Sequence, residues 1–391
     1  MSFSKWKEVE LGEILNFRRG HDLPKKSMIE GRYPVAGSNG IIGYHNEFTT
    51  KKPCITIGRS GNVGTPFFYN TDCWAHNTTL YIDDFKGNHA KYIYYLLKVL
   101  NLGHYAGGSA VPTLNRNHIH PIKVKIPSTI EEQKAIANIL STLDDKIEVN
   151  NKINEKLEEM SQSIFKQWFV DFDFPNMEGK PYKSSGGEMV ESELGIIPKD
   201  WEVCEIKSIV DNIKESTKPG IHLKDKKYVP IDCMSMKSIT LNSYKSYEEA
   251  KSSLILFNKY DILIGAMRVY FHRVNLAPFD GVTRTTTFVL RPKNKYDLAY
   301  SLFLLNLEST ISYANSTSKG STMPYAVWEN GLENMKIVLP DIKLRSEFNK
   351  VIMPILNKTI SLSKENNKLI RLRDTLLPKL MSGEIRVLVE K

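Results

Sequence analysis

Cysteine is scarce in this chain. Only Cys54, Cys73, Cys204 and Cys233 occur in 391 residues, and no two of them form a CxxC pair. Neither a zinc site nor a disulfide framework is suggested, and a reducing compartment is expected. Long apolar runs are missing too, since none reaches the ~20 residues that a membrane span requires. The opening MSFSKWKEVE has no apolar stretch of the signal-peptide kind, so a soluble, cytoplasmic protein is expected. Catalytic fingerprints are equally sparse. There is no GxxxxGK[ST] phosphate loop, no GxGxxG after a strand, and no Pro-Pro-Tyr of the kind amino-methyltransferases use. His118 and His120 stand two apart on a predicted strand and could face one metal, but no third ligand is evident. Asp200, Glu205 and Lys207 are faintly similar to the acidic-acidic-lysine set of metal-dependent nucleases. The first half of the chain has Glu10 and then Gly12 where the lysine would be. No catalytic residue, metal or cofactor is therefore assigned to this chain.

What is present is a chain written twice. Composition is ordinary for a globular protein, 41% hydrophobic and 25% charged, and the length allows two or three domains with real cores. Trp6-Lys-Glu-Val-Glu-Leu11 matches Trp201-Glu-Val-Cys-Glu-Ile206. Ile57-Gly58 matches Ile264-Gly265. NTTLYI (77–82) matches TTTFVL (285–290), and Gly108-Ser109 matches Gly320-Ser321. Pro127 matches Pro340. The matches keep their order while the offset drifts slowly upward, as insertions in loops would cause.

A helical pattern follows each of those prolines. In the first copy apolar residues recur at Ile136, Leu140, Leu143, Ile147, Ile153, Leu157, Met160, Ile164 and Trp168, with a polar break at Asn150 and Asn151. In the second they recur at Phe348, Ile352, Ile355, Ile360, Leu362, Leu369, Leu372, Leu376 and Leu380, with a break at Asn366 and Asn367. Steps of three and four make a coiled-coil-like seam, about 60 Å long at ~1.5 Å per residue. Pro354 and Pro378 are expected to kink the second helix. Residues 128–172 carry 5 lysines and arginines against 9 acidic residues, and residues 341–384 carry 9 against 5. Two apolar stripes of opposite charge are best explained by pairing with each other, as an antiparallel coiled coil. The Asn pairs either fix its register or lie at its solvated edge. The expected fold is α+β. Two mixed, β-rich globular domains (1–127 and 201–340) are separated by the helix pair (128–172 and 341–384), with a pseudo-two-fold repeat. Residues 173–200 read as a surface linker, and 385–391 as a tail.

The globular parts carry the basic excess. Residues 1–127 hold 16 lysines and arginines against 9 acidic residues, and residues 201–340 hold 18 against 14, within a net charge of +9. Two basic domains on rigid rods suit a long polyanion, and duplex DNA is the obvious candidate. The contacts expected in the first domain start with the basic loop FRRGHDLPKK (Arg18, Arg19, Lys25, Lys26) and the turn-rich PVAGSNGIIGYHNEF (Ser38, Asn39, Tyr44). IGRSGNVG adds Arg59, Ser60 and Asn62, with glycines that would let backbone amides approach phosphates. Asn77, Ser109, Thr113 and Asn115 complete the set. In the second domain they are Lys224, Lys226 and Lys227 of GIHLKDKKYVP, and Arg268, Tyr270 and His272, alternating on one face of a predicted strand. Arg273, Arg284, Lys319, Ser321 and Tyr325 join them. Helix pairing is assigned to Ile136, Leu140, Leu143, Ile147, Asn150, Leu157, Ile164, Trp168, Ile352, Ile360, Asn366, Leu369 and Leu376.

The whole chain resembles the specificity (S) subunits of type I restriction-modification systems. The resemblance rests on IGRSGNVG, on GSAVPTL with GSTMPYA, and on the IP or LP before each helix. EEQKAIANILSTLDDKIEVNNKINEKLEEMSQSIFKQWFVDFDFPN, SELGIIPKDW and LRDTLLPKLMSGEI extend it. It implies that each globular half is a target recognition domain reading one part of a split, asymmetric DNA site. It implies that the helices fix the gap and dock two methyltransferase subunits, which motor-nuclease subunits join. S-adenosylmethionine, ATP and magnesium then belong to those partners. One departure is visible. The second helix opens LPDIKLRSEF where the first has IPSTIEEQKAI, so the Glu-Glu-Gln step is lost. A stand-alone DNA-binding or anti-restriction protein of the same architecture is the alternative, and a self-sufficient nuclease is a more distant one.

Overall fold

The computed structural model describes residues 5–108 and 112–388. It resolves into two compact units, Met1–Ile147 with Lys368–Lys391, and Glu148–Asn367. Among the described residues no helix is long and apolar enough to cross a membrane.

In the first unit the residue pattern CITIG becomes a strand, Cys54–Gly58, buried along its whole length. A five-residue apolar run of this kind needs cover on both faces. It lies inside a four-stranded antiparallel sheet in the order Asn16–Arg19, Thr79–Asp84, Cys54–Gly58, Pro66–Tyr69. A separate ribbon pairs Trp6–Glu10 with Lys123–Pro127. The helix Ala90–Val99 buries Tyr92, Ile93, Tyr95, Leu96 and Leu97 in the same core. The second unit repeats this frame. Its four-stranded sheet has the order Val210–Asn212, Thr287–Pro292, Ile262–Gly265, Val274–Leu276. Its ribbon pairs Glu202–Glu205 with Lys336–Leu339, and its core helix is Leu298–Leu305. The remaining sheets differ. The first unit has three strands, Gly40–His45, Tyr33–Gly37 and Trp74–Ala75. The second has four, Ser216–Thr217, Leu254–Phe257, Gly281–Arg284 and Lys227–Val229. The frame is duplicated and the added sheet is not.

The two long helices span Ile130–Phe165 and Ile342–Ser382. Their starts are specified locally. Glu131 and Glu132 lie in the first turn of one, where the helix dipole favours negative charge. Asp341 caps the other, accepting from Lys343 N at 2.8 Å and Leu344 N at 3.0 Å. Within each unit the two helices pair antiparallel. In the first unit Asp144 meets Arg373 at 2.7 Å, and Glu132 meets Arg386, just beyond the second helix, at 3.0 Å. In the second, Asn150 meets Asn366, while Phe165 packs edge-on against Phe348 at 5.9 Å.

Three expectations change, and the second helix continues through Pro354 and Pro378. Both are exposed, so the carbonyl each one releases is open to water. The first helix's seam is not the apolar series. Ile153 and Met160 are 38% and 54% exposed, and Asn150, Asn154 and Ser161 are buried instead. Steps of three and four through 147, 150, 154, 157 and 161 keep the seam but put polar residues on it. Leu143, Ile147, Leu157, Ile164, Leu369 and Leu376 are half-buried, while Ile136, Leu140, Trp168, Ile352 and Ile360 are buried. Second, the pair His118 and His120 is helical or helix-capping, on Arg116–Ile119, not on a strand. Third, the segment 173–200 has structure of its own. Met189–Ser192 pairs with Gly195–Pro198, and Phe174 stacks on Tyr182 at 4.5 Å and on Trp201 at 5.3 Å.

One asparagine of each pair falls inside the seam. Asn150 donates to Asn366 Oδ1 at 2.8 Å and to Glu365 at 3.1 Å, and Asn366 donates to Asn151 at 2.8 Å. Asn150 and Asn366 are buried, which carries the register-fixing reading over the solvated-edge one.

Candidate nucleic-acid interface

The central strand of each unit runs into a loop, and that loop is held by the repeated Gly-Ser-x-x-Pro segment. In the first unit Leu114 N donates to Arg59 O at 2.8 Å, Ser60 bridges Thr113, and Thr113 exchanges backbone bonds with Gly107 at 2.9 and 3.1 Å. In the second, Ala326 N donates to Ala266 O at 2.9 Å, Met267 bridges Tyr325, and Tyr325 exchanges backbone bonds with Lys319 at 2.9 Å. The bonding is the same in both. It makes Arg59 equivalent to Ala266, and Thr113 to Tyr325. The glycine after each of these bridges has φ in the left-handed region, +104° at Gly108 and +88° at Gly320. This geometry explains why the chain says Gly-Ser twice. Ser109 lies outside the described residues.

In the first unit this junction is cationic. Arg19, Arg59, Thr113 and Asn115 line one open recess of about 300 Å³, together with Leu80, Leu114 and Arg116. Arg116 was missed by sequence reasoning, although it adjoins Asn115 in the motif. It donates to Phe17 O at 3.3 Å. Its neighbour His120 accepts from Phe17 N at 3.2 Å and stacks on that ring. Burial, then the charges of Arg116 and Lys86, lower the His120 pKa and keep the imidazole neutral. Two glycines of IGRSGNVG are required by the packing of the loop itself. A Cβ on Gly58 would lie 1.7 Å from Asn62 O, and one on Gly64 2.3 Å from Gly103 N. Other candidates are spread away from the recess or already engaged. Arg18 pairs with Asp83, Asn62 accepts from Thr65 at 2.9 Å, and Asn77 donates to Asp22. Lys25 and Lys26 form an exposed turn, while Ser38 and Asn39 turn into the strand that exposes Tyr44.

In the second unit the junction is aromatic. Tyr270 and Tyr325 are each 48% exposed, and Phe271 lies beside Tyr270 at 5.0 Å. Arg268, Lys319 and Ser321 are exposed around them. The expected strand face of Arg268, Tyr270 and His272 is absent. Val269–Phe271 is a tight turn with Arg268 and His272 both at positive φ, so the side chains do not alternate. His272 is buried, its ring against Glu308 at 3.1 Å and Asn306 O at 3.0 Å, which removes it from any DNA surface. Arg273 lies over the Phe271 ring at 4.9 Å. Lys227 is sandwiched by Tyr244 and Phe279 at 4.3 and 4.2 Å, and Lys226 faces Asp280 at 3.8 Å. Lys224 is exposed and Arg284 half-buried. Glu205 and Lys207 form a surface ion pair at 2.7 Å. Among the described residues no group of three His, Cys, Asp or Glu could hold a metal.

A family model described as the type I restriction modification DNA specificity domain matches residues 4–159 and again residues 198–372. The chain belongs to this family. It is 29% identical over 316 residues to the type I restriction enzyme MjaIX specificity subunit of Methanocaldococcus jannaschii, covering 76% of this chain and 69% of that one. It is 23% identical over 414 residues to the MjaVIII specificity subunit of the same organism, covering 98% and 93%. The fold is similar to the crystal structure of a type I restriction-modification S subunit from M. genitalium. That match has a TM-score of 0.65 at 16% identity, over 97% of this chain and 96% of that one. The two specificity-domain matches each take in one ribbon, one four-stranded sheet and one junction of the kind described above.

Proposed function

We propose that this specificity-family chain is the DNA-reading subunit of a type I restriction-modification complex, each globular domain recognising one half of a split, asymmetric site. One observation carries this reading. The backbone of the junction is conserved between the two repeats, while its side chains are not. Arg59, Thr113 and Arg116 in one correspond to Ala266, Tyr325 and Trp328 in the other. A duplicated frame that presents different chemistry is suited to two different half-sites. The helices set the gap between the half-sites and dock two methyltransferase subunits. Val149 and Ile153, exposed beside Leu157, Lys152 and Lys156, offer apolar surface for such docking. Motor-nuclease subunits join that complex. S-adenosylmethionine, ATP and magnesium act on those partners, and the chain itself is non-catalytic.

The experiment is a modified-base map of genomic DNA from cells with and without this gene, with the methyltransferase partner present. Methylated adenines in a split motif of one fixed gap should vanish on deletion. An unchanged map would favour the alternative of a stand-alone DNA-binding or anti-restriction protein. A further expectation is that one extra heptad in both helices changes the gap and leaves both half-sites unaltered.

A further inference from the structure

The recess at the first junction has an electrostatic peculiarity. Three arginines, Arg19, Arg59 and Arg116, line it together with Leu80, Thr113, Leu114 and Asn115, and among the described residues no carboxylate does. Arg59 is half-buried, yet its guanidinium makes no hydrogen bond or ion pair among the described residues, and neither does that of Arg19. Arg116 makes one hydrogen bond among the described residues, to Phe17 O at 3.3 Å. Elsewhere on the same sheet Arg18 is neutralised by Asp83. Gathering three like charges without a counter-charge costs stability, and the cost is offset when an anion binds.

The second unit has dismantled this feature. Arg59 corresponds to Ala266, Arg116 to the buried Trp328, and Arg19 to Lys214, which is paired with Glu329. The shape of the recess also matters. Base edges lie on the floor of a DNA groove and are read by side chains that project from the protein. A concave cationic recess instead receives a group that projects from the duplex, and that group is the backbone phosphate.

We propose that Arg19, Arg59 and Arg116 form a seat for a backbone phosphate of duplex DNA, present in the first domain only, which positions the duplex without reading its sequence. This rests on the DNA-reading function proposed above and deepens it. The first domain would grip the backbone at its junction, and the second would meet DNA there through Tyr270 and Tyr325.

The test measures binding of the full-length chain, assembled with its methyltransferase partner, to its target duplex and to a scrambled duplex. Salt is varied between about 50 and 200 mM, the range over which phosphate contacts dominate affinity. The variants are Arg59→Ala, Arg116→Ala and Arg59→Lys, with Arg19→Ala as a fully surface substitution that leaves the core untouched. Each alanine variant should weaken both duplexes equally, by roughly tenfold. The slope of log K against log salt should become shallower by about 0.9 if the phosphate contact is lost. Arg59→Lys should keep most of the affinity, because a point charge still serves a phosphate. The methylated motif should be unchanged in every variant. Loss confined to the target duplex at an unaltered salt slope would overturn the seat and make these arginines base readers. Unaltered binding of both duplexes would also overturn it. If the unsubstituted complex prefers no duplex, it is the DNA-reading function that fails.

Discussion

The two units attach their core helix to a long helix at equivalent places and with different chemistry. In the first, Gln133 is buried and bridges His89 N at 3.0 Å, Asn88 at 2.8 Å and Pro127 O at 3.4 Å. Beside it the fully buried Glu132 takes Arg386 at 3.0 Å and Trp6 Nε1 at 3.1 Å. In the second, Arg345 occupies the position of Gln133. It donates to Pro340 O at 2.9 Å and pairs with Asp297, the residue before the core helix. Around both joints the apolar frame is kept, with Ile136 and Leu140 in one and Phe348 and Ile352 in the other, all fully buried. The lost Glu-Glu-Gln step is therefore a substitution within a preserved joint. Packing positions tolerate little change in volume, whereas a polar bridge can be rebuilt from any set that satisfies every donor and acceptor.

The sharpest way to break the comparison is to remove one bridge from each joint. Arg345→Ala leaves Asp297 buried without its partner, and a broken buried pair costs about 3–5 kcal/mol. Gln133→Ala removes the acceptor of the His89 amide and the donor to Asn88 Oδ1, at about 1–3 kcal/mol. Urea unfolding should rank the two in that order. Hydrogen exchange should show the first loss at Leu298–Leu305 and the second at Ala90–Val99. Adding Asp297→Asn to an Arg345→Gln change should recover part of the larger loss, since a neutral pair leaves no stranded charge. Equal losses at the two joints would mean that the ionic character of the second contributes nothing.

The duplicated frame was legible because it is made of apolar runs and turn residues whose spacing reports their secondary structure. Trp6 and Trp201, Ile57 and Ile264, and the two glycines before the x-x-Pro steps all kept their register in space. Less legible was anything decided by where a side chain ends up. The seam of the first helix was read from its apolar residues, and Asn154 and Ser161 hold the buried positions instead. Arg116 had no periodicity to announce it, and His272 looked like a surface residue because its partners, Asn306 and Glu308, are more than thirty residues away. Sequence patterns report local geometry well. They report poorly on polar groups whose environment is built by distant parts of the chain.

That polar seam supplies a second test, of intermediate size. Asn150→Leu should destabilise the second unit by about 1–3 kcal/mol, because the buried Asn366 amide oxygen and the Glu365 carboxylate lose a hydrogen-bond donor. Asn150→Leu with Asn366→Leu should restore the loss or exceed it, as replacing both partners by apolar groups often does. The gain in stability should come with looser register. Cysteines placed at 154 and 363, where Asn154 meets Ser363 at 3.4 Å, would cross-link efficiently in the parent and less so in the double variant. Efficient cross-linking in both would show that the Asn pair does not set the register.

The smallest effect distinguishes the two units by pH. Glu158 of the first long helix clamps the second unit's globular part, accepting from Ser238 Oγ and Ile239 N, both at 2.8 Å. Burial raises its pKa, and these two hydrogen bonds, with a third from Gln162 at 3.2 Å, only partly oppose that. The folded protein therefore takes up this proton before the unfolded chain does as pH falls. Stability from this group is greatest at low pH and is lost as pH rises from the unfolded value, about 4.3, through the raised folded value. Glu158→Gln keeps an acceptor for Ile239 N and a donor for Ser238 while removing the charge. The variant should match or slightly exceed the parent at pH 7. The difference between them should close as pH is lowered toward 4.5, when measured as unfolding free energy at each pH. A variant that is less stable at neutral pH and draws level in acid would show that the charge itself stabilises the clamp, through His272, against the cost of burying it.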